Sequence, residues 1–149
     1  MRKVTVLSKV ALKEWLDKGL VKDQIVISIE STDACLNYWV NERGDTNFNN
    51  DHLLPPSKNT LNLHFDDVQE DTIMGRYELK AITPEQAKKI IDFIKENPDK
   101  DVIVQCMAGQ SRSQGIGKFL KLQLRYEGNV NTDTASYRVY RTLMDALGE

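Results

Sequence analysis

A strand-like run, a loop of small residues and a helix-like stretch follow one another in the last third of this 149-residue chain. Residues 102–105 are apolar enough for a short buried strand, and residues 113–125 carry apolar side chains at helical spacing. Gly109, in the loop between them, relieves crowding where the backbone has to turn inward. The pattern predicts a strand–loop–helix unit.

Three more strand-like runs occupy residues 3–7, 24–29 and 61–65, and helix-like stretches lie between them or follow them. Strands that alternate with helices are typical of a mainly parallel sheet covered by helices. We therefore expect an α/β fold with a central sheet of about four to five strands. The length of the chain fits one domain, residues 1–149, with one substantial core.

Four helices are predicted besides the one at residues 113–125. Residues 11–19 end at Gly19, and Thr83 followed by Pro84 and Gln86 has the pattern of a capping box that opens a helix ending at residue 97. Residues 135–147 place Tyr137 and Tyr140 on an apolar stripe, so we expect both to pack inward. The irregular segment 31–60 is predicted to hold a short helix around residues 34–40.

The loop itself has a cysteine and an arginine at its two ends, Cys106 and Arg112, with five residues between them. Its backbone N–H groups and the N-terminus of the next helix can surround the oxygens of a phosphoryl group. A helix N-terminus and a nearby cation also favour an ionised, nucleophilic sulfur. The guanidinium offers a planar fork for two phosphate oxygens. The residues expected to bind the phosphoryl group are Met107, Ala108, Gly109, Gln110, Ser111 and Arg112.

Transfer of the phosphoryl group also needs an acid that protonates the leaving oxygen. Asp66 and Asp67 directly follow the strand at residues 61–65, at the same end of a parallel sheet as Cys106. Asp71 is a third candidate. Each of these carboxylates could instead be solvated or cap a turn. Ser113 could donate a hydrogen bond to the departing sulfur, and it could also cap the helix.

The run from Val104 to Ser113 resembles the signature loop of the cysteine-dependent protein tyrosine and dual-specificity phosphatases. The match includes the glycine, the arginine and the trailing serine, whereas Gln105 stands where the family usually has histidine. Phe65-Asp66-Asp67 resembles the family's Phe-x-Asp acid loop, which implies that Asp67 is the acid. Residues 60–147 are similar to small stand-alone predicted protein tyrosine phosphatases of bacteria and phages. The resemblance implies phosphomonoester hydrolysis through a phosphocysteine.

Other classes of function stay open. Cys106 could be a buried structural cysteine, the loop could bind phosphate without turnover, or the cysteine could serve sulfur transfer or redox chemistry with Cys35. We expect no cofactor and no metal, since the only histidines are His52 and His64 and no Cys-x-x-Cys pair is present. His64 is expected to be a residue of the strand edge.

Composition limits the classes of partner that we expect for this chain. A net charge of −2 gives no general attraction to nucleic acid or to an anionic membrane, so we expect a phosphorylated protein or small phosphate ester as substrate. Two widely separated cysteines suggest no disulfide framework, which fits a reducing cytoplasm. Tyr38 and Trp39 are candidates to stack on an aromatic substrate, although Trp39 could instead fill the core. The oligomeric state is open.

Overall fold

The computed structural model describes residues 1–149 and contains six strands and five helices. The strands are β1 (Val4–Ser8), β2 (Ile25–Glu30), β3 (Thr60–His64), β4 (Thr72–Met74), β5 (Tyr77–Leu79) and β6 (Val102–Cys106). The helices are α1 (Lys9–Asp17), α2 (Asp33–Asn41), α3 (Pro84–Glu96), α4 (Arg112–Gln123) and α5 (Tyr137–Leu147).

Four of the strands form a parallel sheet in the order β1-β6-β2-β3. These are the four strands expected from the sequence, and the prediction of an α/β fold with a parallel sheet flanked by helices is confirmed. The short antiparallel pair β4-β5 was not predicted. Each of its strands has only three residues, joined at Gly75 with φ +61°, so neither carries a recognisable periodicity.

All five predicted helices are present, with shifted ends. Helix α1 begins two residues earlier than expected because the Ser8 side chain caps it by accepting from the backbone N–H of Ala11 at 3.1 Å. The capping box at Thr83 and Gln86 is confirmed. Tyr137 does not pack inward as predicted, because it is the first residue of α5 and 63% of it is exposed.

Both faces of the sheet are buried, as is usual for parallel sheets. The larger core lies on the face covered by α3, α4 and α5, and the smaller one lies under α1, where Leu12 packs with Val26 and Ile103. Successive residues of β2 therefore serve opposite cores, with Ile25 and Ile27 in the larger one. None of the helices has both the length and the apolar character needed to cross a bilayer.

The parallel arrangement brings the carboxyl ends of the strands to one edge of the sheet. Ser8, Glu30, His64 and Cys106 are the last residues of β1, β2, β3 and β6. In the sheet register, Ser8 is the partner of Cys106 and Glu30 is the partner of His64. The loops that follow these strands therefore meet at this edge, which places the Cys106 loop and the Asp66-Asp67 segment together.

Candidate active site

Cys106 lies at the end of β6, where the chain turns into the loop before α4. Its Sγ is 3.0 Å from Oγ of Ser113, within hydrogen-bonding distance. Only 2% of Cys106 and none of Ser113 is exposed. Ser113 does not cap the helix, since it is the second residue of α4 and Ser111 is the N-cap. The structure thus places a hydroxyl group directly beside a buried sulfur.

The loop of residues 107–111 has five consecutive backbone N–H groups that donate no hydrogen bond to any protein atom. Residues 107, 109 and 111 are partly buried and residues 108 and 110 are exposed, so these donors are open to a ligand at the surface of the protein. The first turn of α4 follows directly and adds the positive end of its dipole. This backbone has the donors that an anion requires. Ala108 and Gln110 have exposed side chains, so only their backbone would contribute.

The loop is held against the junction of β1 and α1. The carbonyl oxygen of Met107 accepts from the backbone N–H of Lys9 at 3.1 Å, and that of Gly109 accepts from Nε2 of Gln114 at 3.0 Å. Gly109 has φ +69°, and a Cβ there would lie 2.7 Å from the backbone nitrogen of Ser8. The loop can therefore take this shape only with glycine at that position.

Arg112 is buried, with 6% exposed, and one side of its guanidinium is anchored. Nη1 donates to the carbonyl oxygen of Phe65 at 2.8 Å and to Oγ of Ser31 at 3.3 Å. Nε and Nη2 have no hydrogen-bond acceptor in the protein, and the residue forms part of the wall of a cleft. The guanidinium is thus fixed in place while two of its nitrogens stay available to a ligand.

The surroundings of Asp66 indicate a role in holding the fold together. It is 2% exposed, and its two carboxylate oxygens accept three hydrogen bonds. Oδ1 accepts from the backbone N–H of Thr32 at 2.9 Å, and Oδ2 accepts from the Thr32 hydroxyl at 2.7 Å and from the backbone N–H of Lys80 at 2.8 Å. These bonds satisfy the carboxylate, so Asp66 is poorly placed to carry a proton to a substrate.

Asp67 is exposed and lies against the Cys106 loop, where its Oδ1 accepts from the hydroxyl of Ser111 at 2.8 Å. Asp67 and Arg112 also line the same cleft. Asp71 lies elsewhere, because it accepts from the backbone N–H of Ala81 at 3.0 Å and faces Lys80. Of the three predicted carboxylates, only Asp67 combines exposure with contact to the loop.

A buried network supports the loop from the side of the sheet. Nε2 of Gln105 donates to Oε2 of Glu30 at 2.9 Å, and Oε1 of Glu30 is 2.8 Å from Nζ of Lys9. Lys9 and Glu30 were missed by the sequence analysis. The signal for Glu30 was available, because a glutamate that ends a buried strand, apolar except for Ser28, must find a partner at the same edge of the sheet.

The same network reaches His52 through Ser28, whose Oγ is 2.7 Å from Oε1 of Gln105 and 2.7 Å from Nδ1 of His52. Burial lowers the pKa of His52 to about 4, and the nearby His64 and Lys9 act in the same direction. His52 is therefore neutral near neutral pH. No group of three or more His, Cys, Asp or Glu side chains is arranged to hold a metal ion.

The cleft beside Arg112 has a volume of about 560 Å³ and an aromatic wall. Tyr38, Trp39 and Phe48 form that wall, and the rings of Trp39 and Phe48 stack with centroids 6.0 Å apart. Trp39 is 36% exposed, so the alternative that it fills the core is wrong. Cys35 also lines the cleft, and partial burial, followed by the charge of Asp66, raises the pKa of its thiol.

No known family model matches the chain, and no similar protein is found among curated sequences. The interpretation of the site therefore depends on its own residues and their geometry. The structure brings Cys106, Ser113 and Arg112 onto one loop and places Asp67 against it. Among the predicted site residues, Asp66 and Asp71 have other partners.

The close contact at Gly109 leads to a first prediction. Gly109→Ala would place a side chain in a left-handed conformation and against the backbone of Leu7 and Ser8 at the end of β1. We expect the free energy of unfolding to fall by more than the roughly 1–2 kcal/mol that the left-handed conformation alone costs a residue with a Cβ. Gly44→Ala is the matched control, since Gly44 has φ +67° with no atom within 4 Å. Urea unfolding measures both, and equal losses would contradict the contact.

The second prediction concerns the two thiols. Iodoacetate near neutral pH should label Cys106 faster than Cys35, because the raised pKa of Cys35 keeps that thiol protonated. Phosphate or vanadate should protect Cys106. Peptide mapping of wild type, Cys35→Ser and Cys106→Ser assigns the label. A Cys106 that reacts only in denaturant would identify it as a structural cysteine, since its burial alone fits both interpretations.

Proposed function

We propose that this protein is a cysteine-dependent phosphomonoester hydrolase of the protein tyrosine or dual-specificity type. The observation that carries the proposal is the loop of residues 107–111, whose five backbone N–H groups have no protein acceptor. A buried sulfur with a hydroxyl 3.0 Å away precedes the loop's amides, and a buried guanidinium follows them. Such a set of donors suits a tetrahedral dianion better than any neutral ligand.

In the proposed reaction the Cys106 thiolate attacks phosphorus in line, so that an S–P bond forms as the bond to the leaving oxygen breaks. Asp67 supplies the proton that the leaving oxygen takes up. The same carboxylate then takes a proton from water, whose oxygen attacks phosphorus and releases the sulfur. Ser113 donates a hydrogen bond to the departing thiolate, at the distance of its present contact.

The loop amides and Arg112 hold the transferring group through both steps. Because the Phe65 carbonyl and Ser31 already fix Nη1, the guanidinium needs little reordering when the anion arrives. Preorganised donors of this kind stabilise the charge that develops in the transition state. None of these steps is assigned to a metal or an organic cofactor.

The substrate is proposed to be a phosphorylated protein or a small phosphate ester. The aromatic wall of Tyr38, Trp39 and Phe48 next to Arg112 supports a substrate with an apolar group attached to its phosphate. A cytoplasmic location stays a prediction, which the two unpaired cysteines favour.

A phosphate-binding module without turnover is the main alternative, since the loop and Arg112 alone would bind an anion. Asp67 favours hydrolysis, because a pure binding site gains nothing from an exposed carboxylate held next to the anion site. One observation favours the redox alternative, because Cys35 lines the same cleft as Arg112. Full hydrolytic activity in Cys35→Ser would exclude a required role for that thiol.

The third prediction tests nucleophile and acid together by hydrolysis of phosphate esters. Cys106→Ser should lose all measurable turnover. Asp67→Asn should lose about 10²–10⁴-fold in kcat/KM for an alkyl phosphate, and much less for an aryl phosphate whose leaving group needs no protonation, because kcat/KM reports formation of the phosphocysteine and not its hydrolysis. This dependence on the leaving group separates loss of an acid from general damage.

Asp66→Asn is the matched control for Asp67→Asn. It should lower the free energy of unfolding, because three hydrogen bonds to a buried carboxylate are weakened. Its activity should fall equally for both esters. A fully active Cys106→Ser variant would rule out the phosphocysteine, and an Asp66→Asn variant with the leaving-group dependence would transfer the role of acid to Asp66.

A further inference from the structure

Two histidines face each other at the edge of the sheet. His64 ends β3, His52 lies in the connection between α2 and β3, and their Nε2 atoms are 3.1 Å apart. The ring planes meet at 73°. In a neutral imidazole one nitrogen carries a proton and the other a lone pair, so the hydrogen bonds of the two Nδ1 atoms decide what lies between the Nε2 atoms.

The protonated nitrogen of His52 follows from the buried network. Lys9 pairs with Oε1 of Glu30, and the second oxygen of this ion pair is the acceptor that faces Gln105. Gln105 must then turn its amide NH₂ toward Glu30 and its carbonyl oxygen toward Ser28. The single hydroxyl proton of Ser28 goes to that oxygen, so Ser28 accepts from His52. Nδ1 of His52 therefore carries the proton, and Nε2 has the lone pair.

The protonated nitrogen of His64 follows from a single contact. Its Nδ1 is 3.0 Å from the backbone carbonyl oxygen of Ser31, which can only accept. In the neutral ring, Nε2 of His64 is then also a lone pair. Two lone pairs 3.1 Å apart repel each other. The arrangement is favourable only with a cation between the rings.

The spacing of the two nitrogens fits one metal ion. With Zn–N distances of about 2.0–2.1 Å, nitrogens 3.1 Å apart make an angle of about 100° at the metal, close to tetrahedral. Each ring also donates its Nδ1–H to a protein oxygen, which is how metal-binding imidazoles are commonly oriented. An open pocket of about 620 Å³ beside the pair, with Asp33 and Asp51 in its wall, has room for water ligands.

We propose that His52 and His64 form a binding site for a transition-metal dication such as Zn²⁺, with water completing the coordination. The site is distinct from the Cys106 loop and does not depend on the proposed hydrolysis. With only two protein ligands it differs from a closed structural zinc site, which has four. The competing occupant is a proton shared by the two rings.

The test is a calorimetric titration of the Cys35→Ser/Cys106→Ser double variant with Zn²⁺ near neutral pH. Removing both thiols matters because thiolates bind zinc themselves. We expect one ion per chain. His52→Gln and His64→Gln should each weaken zinc binding by tenfold or more. Ser28→Ala removes the hydrogen-bond acceptor of Nδ1 of His52 and should lower the zinc affinity about 10–100-fold. Absence of saturable binding, or binding unchanged in both histidine variants, would overturn the proposal.

Nitrogen-15 spectra of the histidine side chains in the double variant give a second measurement that needs no histidine substitution. On addition of Zn²⁺ near neutral pH, the Nε2 signals of both rings should move together, while Nδ1 of each ring keeps its proton. A proton that stays on one Nε2 throughout the zinc titration would show that the rings share a proton only, and would refute the metal site.

Discussion

The buried carboxylate of Glu30 is the constraint on which the candidate site depends. A charge with 1% exposure is costly unless it is paired and hydrogen-bonded. Lys9, at the start of α1, and Gln105, on β6, provide those bonds, so three neighbouring parts of the fold meet at one carboxylate. The residue after Gln105 is Cys106, and the backbone of Lys9 holds the carbonyl of Met107. The pairing of Glu30 thus fixes the start of the loop that leaves β6.

Asp66 and Arg112 perform a similar task on the other side of the site. Asp66 ties the end of β3 to the N-terminus of α2 and to the residues after β5, and Arg112 ties the first turn of α4 to Phe65. Both charges are buried and both have protein partners. The segment that carries Asp67 is therefore held from two directions, while Asp67 itself stays exposed.

The sequence was sufficient for the sheet and the helices because their signals are local. The apolar runs of β2 and β6 and the capping box of α3 require no knowledge of the rest of the fold. The motif also identified the Cys106 loop. The choice between Asp66 and Asp67 could not be made, because it depends on Thr32 and Lys80, which are 34 and 14 residues from Asp66. Lys9 was missed for the same reason, since its pairing with Glu30 exists only once the sheet has formed.

The Ser111 hydroxyl donates its hydrogen bond to Asp67, so the first turn of α4 has no side-chain cap. Such a cap usually contributes about 1 kcal/mol to the stability of a helix, so this serine stabilises a long-range contact in place of its own helix. The Ser111 hydroxyl therefore connects the Cys106 loop directly to Asp67, 44 residues away in the chain. Modification of the Ser111 hydroxyl by a bulky or anionic group would break this contact without altering either the sulfur or the carboxylate.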